Sequence, residues 1–156
     1  MAVRKSLPSL PDQSTASEAQ AAAQGLSRQA LGGLHTIAGS GAVAGDHVEL
    51  AHLWDQALDA TDAQLTCHLA TLRHHLVEHF ELEERLLAAA DAPGRARHAA
   101  DHGRLLHWLD DALRAADGGA YETARGFLSH DLPTWFTLHL RNLDRMAAPA
   151  FRQDQR

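Results

Sequence analysis

Seven residues carry the chemistry this chain offers: His47, His79, Glu83, His98, His102, His139 and Asp144. Five imidazoles and two carboxylates are enough to hold two metal ions. His79 and Glu83 stand at i,i+4, as do His98 and His102. Residues at that interval differ by only about 40° around a helix and about 6 Å along it, so each pair can address one site. His139 and Asp144 are five apart, which is about 140° on an ideal helix. For both to serve one site, Asp144 has to reach sideways, the helix has to bulge, or the site has to lie between helices. A mostly imidazole set suits iron, zinc, copper or nickel better than magnesium or calcium. Each carboxylate can bridge two ions, and a water-derived oxo or hydroxo group completes such a cluster. Burying this charge requires cations and carboxylates together, because uncompensated charge in a core is costly.

Four helices can place these residues. The first is expected from Asp46, with Asp46 and Glu49 at capping-box spacing, to about Asp59–Thr61. Its apolar stripe is Leu50, Leu53, Trp54, Ala57 and Leu58. The second is expected over about Asp62–Ala90, where Leu65, Leu69, Leu72, Leu76, Phe80 and Leu87 recur at helical steps. Asp91–Ala92–Pro93–Gly94 reads as a turn, with Pro93 in the first turn of a third helix that runs to about Ala116. After the Asp117–Gly118–Gly119 break, a fourth helix covers much of Ala120–Met146. Pro133 predicts a kink or restart near Leu132, and Pro149 discourages continuation after Met146. Connections this short favour an all-α, antiparallel up-down-up-down four-helix bundle. Glu83 lies eight residues before Asp91 and His98 seven after it, so the two should sit at one height. His47 and His79 match within about one helical turn.

The expected organisation is an N-terminal extension over 1–44, a bundle over 45–148 and a tail over 149–156. Residues 1–22, rich in Ser, Pro, Ala and Gln, read as a mobile tail, and Ser17–Ala30 as a weak helix. The extension could cover one bundle end or contact a protein partner. A chain of 156 residues that is 45% apolar can bury one core. A net charge of −6 and a pI near 6.0 argue against nucleic-acid binding, which calls for a basic face. No apolar run of spanning length is present, so membrane insertion is not expected, and the cytoplasm is the default location. Cys67 is the single cysteine, which excludes an intramolecular disulfide; it is expected to fill helix space.

The remaining histidines, His35, His52, His68, His74, His75, His107 and His130, read as surface or hydrogen-bonded residues. His74 is the alternative ligand if the helix phases differ. Glu78, Glu81 and Glu84 read as a solvated helical face, and Trp54, Trp108 and Trp135 as core or interhelix aromatics.

The motifs Asp46–His47, His79–Phe80–Glu81–Leu82–Glu83–Glu84, His98–Ala–Ala–Asp–His102 and Trp135–Phe–Thr–Leu–His139–Leu140, followed by Asp144, resemble those of hemerythrin-like proteins, bacterial hemerythrins above all. The resemblance covers about Gly45–Met146. It implies a non-haem di-iron centre, with two Fe ions bridged by oxo or hydroxo oxygen and by carboxylates. His98, His102 and His139 correspond to the imidazoles of one iron, and His47 and His79 to those of the other. Glu83 and Asp144 correspond to the bridges. The iron with two imidazoles keeps an open position for dioxygen. Leu50, Leu76, Phe80, Leu140 and Leu143 are expected, from packing, to form an apolar wall around it.

The function this implies is reversible dioxygen binding for oxygen transport, storage or sensing, rather than catalysis. Two other readings use the same centre: a di-iron redox enzyme acting on peroxide or nitric oxide, and a metal-storage or regulatory binding module.

Overall fold

A computed structural model describes residues 42–153. The expectations for 1–41 and 154–156, including His35 and the weak helix over Ser17–Ala30, lie outside the described residues. Among the described residues every regular element is helical: α1 (Ala42–Asp59), α2 (Asp62–Ala89), α3 (Arg95–Asp117), α4 (Tyr121–Gly126), α5 (Leu132–His139) and α6 (Arg145–Gln153). The last three form one broken rod. π-helical turns join them at Phe127–Asp131 and Leu140–Asp144. The arrangement is therefore four helical rods in an all-α fold.

Leucine spacing on α2 explains its packing. Leu65, Leu69, Leu72 and Leu76 are all fully buried, and they meet Leu50 and Trp54 of α1, Leu105 and Leu109 of α3, and Leu128, Leu132 and Phe136 of the fourth rod. Burying each such side chain contributes roughly 1.5–3 kcal/mol. Polar contacts fix the rods' relative height. The Trp54 indole N–H donates to the Leu128 carbonyl at 3.0 Å. Arg125 donates to the Ala60 carbonyl at 2.9 Å and to Asp62 at 2.7 Å, which ties the start of the fourth rod to the α1–α2 turn.

Several boundaries differ from expectation. α1 is helical from Ala42, so Asp46 is an interior residue and no N-cap. The capping-box contact belongs to α2 instead, where the Thr61 backbone N–H donates to Gln64 Oε1 at 3.2 Å. Pro93 precedes α3 rather than opening it. Gly94 is the N-cap, at φ +84°, a left-handed conformation that glycine adopts without steric cost. The restart near Pro133 is present: α5 begins at Leu132, directly after a π turn. Around it, hydroxyls satisfy carbonyls, with Ser129 donating to the Arg125 carbonyl at 2.7 Å and Thr134 to that of His130 at 2.7 Å. Helix continues past Met146 to Gln153 with Pro149 inside it. There Ala147, Ala150 and Phe151 pack with Leu87 of α2, and this burial outweighs the hydrogen bond lost at Pro149. Cys67 is exposed rather than packed. No helix among the described residues is long and apolar enough to cross a membrane.

Candidate metal centre

All seven sequence-selected residues are buried and lie at one end of the rods. His47 comes from the start of α1, His79 and Glu83 from late α2, and His98 and His102 from early α3. His139 ends α5 and Asp144 ends the π turn that follows. Glu83, His98, His102 and His139 each bring a donor atom within 4.8 Å of the others, and so do His47, His79 and Glu83.

Glu83 is the hinge of this arrangement. It is 0% exposed, and its two oxygens face different imidazoles. Oε1 lies 3.3 Å from His79 Nε2 and 3.9 Å from His47 Nε2, while Oε2 lies 3.2 Å from His102 Nε2. Neither oxygen has a well-formed hydrogen bond among the described residues. The imidazoles also confront each other through nitrogen, with His47 Nε2 and His79 Nε2 3.2 Å apart and His102 Nε2 and His139 Nε2 3.3 Å apart. A fully buried carboxylate lacking good hydrogen bonds, ringed by inward-facing imidazole nitrogens, is a donor set that fits cations.

Asp144 stands outside both close groups, yet its Oδ1 lies 2.8 Å from His98 Nε2 and 3.0 Å from His139 Nε2. The π turn Leu140–Asp144 makes this possible. An i→i+5 turn is wider than an α turn, so residues five apart come onto one face. Of the three routes open to the His139–Asp144 pair, the chain takes the bulge.

Carboxylates behind the imidazoles orient some of them. His139 Nδ1 lies 2.7 Å from Asp101 Oδ2, and Asp101 is itself paired with Arg104. His102 Nδ1 lies 3.1 Å from Glu84 Oε1. His79 Nδ1 is 3.6 Å from Asp46 Oδ2, a charge contact beyond hydrogen-bond length. Glu84 is thus no merely solvated residue: its side chain is 44% exposed but supports a buried imidazole. Asp101 escaped the sequence reading altogether. Its signal was its place inside His98–Ala–Ala–Asp–His102, on the flank of the ligand face.

Charge couples the cluster. Burial pushes the Glu83 carboxyl up, but the facing His79 and the contacts with His102 outweigh it and hold Glu83 well below the carboxylate range. Burial and the Glu83 charge push Asp144 up, and contacts with His139 and His98 bring it below its ordinary value. Burial and the neighbouring His79 lower His47 to about 4. Burial also pulls His79 down, yet Glu83 and Asp46 raise it to about 9. Without metal, protonated imidazole thus compensates the buried carboxylates, a task that bound cations take over.

Phe80 stacks on His102 with centroids 3.8 Å apart, and Leu50, Leu76 and Leu140 are buried as expected. Leu143 departs from that wall: it is half-buried and lines an open cavity of about 530 Å³ between α3 and the fourth rod. Trp108 lines the same cavity between helices and is 43% exposed, so of the core or interhelix positions expected for it, it does not take the core one. Trp54 and Trp135 are core residues, and Trp135 stacks on His139 at 4.3 Å. Of the other histidines, His75 places Nε2 3.1 Å from the Asp46 carbonyl oxygen, and His74 is exposed beside Glu78. Neither joins the cluster.

No protein-family model matches the chain, and no solved structure matches it. It is similar to a bacteriohemerythrin from Ralstonia nicotianae (strain ATCC BAA-1114 / GMI1000), 29% identical over 108 residues that cover 69% of this chain and 78% of the relative. That distant relationship and the buried His/Glu cluster together support placing the chain in the hemerythrin-like superfamily.

Proposed function

We propose that this chain is a non-haem di-iron protein that binds dioxygen reversibly, for oxygen transport, storage or sensing. In this reading His98, His102 and His139 would hold one iron and His47 and His79 the other, with Glu83 and Asp144 as the carboxylates the two ions would share. The observation that carries it is Glu83, whose two buried oxygens divide between the two imidazole groups. The rods run antiparallel, up-down-up-down. The collection of all seven residues at one end supports this, as does Arg125 joining the fourth rod to the α1–α2 turn.

Bound iron supplies reversible electron exchange with dioxygen. The protein's share is to fix the donors and keep water out. With three imidazoles offered to one iron and two to the other, the iron held by His47 and His79 would be the one to accept a small molecule. Leu50, Leu76, Phe80 and Leu140 exclude bulk water from the core that flanks it. Reversible binding requires no side chain to pass a proton through this wall.

A redox enzyme acting on peroxide or nitric oxide is the second reading. Trp135 favours it, because this ring both stacks on His139 and lines the open cavity, a route by which electrons could enter. Anaerobic loading with ferrous iron, then oxygen, then argon separates the two. A visible band that appears and disappears marks a carrier or sensor, and rapid irreversible oxidation marks the enzyme.

A further inference from the structure

The two halves of the cluster are supported unequally. Behind the three-histidine half stand two carboxylates in hydrogen-bond contact, Asp101 on His139 Nδ1 at 2.7 Å and Glu84 on His102 Nδ1 at 3.1 Å. Arg104 in turn holds Asp101. These contacts turn Nδ1–H of His139 and His102 toward the carboxylates, so that Nε2 of each faces the cluster with its lone pair, whereas the third ring, His98, has its Nδ1 buried without a partner among the described residues. Behind the two-histidine half no such bond is present among the described residues. His47 Nδ1 is buried without a partner among the described residues, and His79 Nδ1 has only Asp46 at 3.6 Å. The oxygen donors are uneven as well. Asp144 Oδ1 sits 2.8 and 3.0 Å from two imidazoles of the first half, whereas the second half has Glu83 Oε1 at 3.3 and 3.9 Å.

We infer that the centre loads its metals in order: the His98/His102/His139 position fills first and tightly, with Asp101 and Glu84 as positioning residues, and the His47/His79 position fills second and more weakly. The inference rests on the di-iron reading above. An outer carboxylate on a ligating histidine is worth roughly 10–100-fold in metal affinity, so two of them separate the two steps by at least about 100-fold. The third imidazole widens the gap. A chain carrying a single ion then lacks its second metal position, and the completed centre requires a metal concentration above the weaker dissociation constant.

The test is titration of the metal-free full-length chain with Co(II), followed by calorimetry and by the visible cobalt bands. Two resolved steps are expected, the first at least about 100-fold tighter. Asp101→Asn should weaken the first step by roughly 10–100-fold and leave the second within a few-fold. His47→Ala should abolish the second step and retain the first. Glu84→Gln gives an independent check at a part-exposed position should Asp101→Asn fail to fold. Two ions binding in one step of equal affinity, or loss of both steps in His47→Ala, overturns ordered loading alone. Fewer than two ions in the unaltered chain overturns the di-iron reading itself.

Discussion

Replacing Glu83 by Gln removes the charge that the two halves of the centre share while keeping the side chain's shape. The consequence for the metal-free protein follows from His79. Its imidazole is raised from 6.5 to about 9, with Glu83 as the largest raising cause and Asp46 next. A raised folded-state value stabilises the fold fully below the unfolded value of 6.5, and that stabilisation is lost as pH rises through about 9. At pH 7 it amounts to roughly 2–3 kcal/mol, because each pKa unit corresponds to about 1.4 kcal/mol. His79 is almost wholly buried, so solvent screening removes little of this. Glu83 and Asp46 divide the effect, and Glu83→Gln should therefore cost roughly 1–3 kcal/mol at pH 7. The cost should shrink toward pH 9.5. The assay is urea unfolding of the metal-free chain at several pH values, followed by far-UV circular dichroism. A Glu83→Gln midpoint equal to that of the unaltered chain at pH 6–7, or a deficit that grows with alkaline pH, would refute this electrostatic reasoning.

Acid should also destabilise the metal-free chain, through the imidazole next to His79. His47 is lowered to about 4, so the unfolded chain binds the extra proton first and stability falls as pH drops from 6.5 through about 4. Urea midpoints of His47→Gln should decline less steeply than the wild type's over that window. Trp54→Phe should cost roughly 1–3 kcal/mol in urea unfolding, because the fully buried indole fills the core and satisfies the Leu128 carbonyl at 3.0 Å. His79→Ala should lower iron bound per chain, measured by elemental mass spectrometry, while His68→Ala should leave it unchanged. Equal losses in the two variants would overturn the ligand assignment.

The helical periodicity of the leucines and the short breaks at 60–61, 90–94 and 118–120 made the four rods legible, because burial of one apolar face dominates their packing. The i,i+4 pairs located most of the centre for the same geometric reason. His139 and Asp144 were harder. Their interval conflicts with an ideal helix, and only the π turn reconciles it, a backbone choice set by tertiary packing rather than local propensity. Asp46 looked like a cap because Asp46 and Glu49 stand at capping-box spacing; in the fold Asp46 is inside the helix and its carboxylate lies near His79 instead. Asp101 and Glu84 were not distinguishable from surface acids, since helical phase alone does not show which flank meets a neighbouring ring. Pro149 misled because its intrinsic cost was weighed without the Leu87 contact that compensates it.

The claim that a shared Glu83 joins two ions into one centre is tested most directly by X-ray absorption at the iron edge on the anaerobically loaded chain. A bridged pair gives an iron–iron scattering shell within about 4 Å, and close to two and a half imidazoles per iron on average. Isolated irons with no such shell, or fewer than two imidazoles per iron, would contradict it.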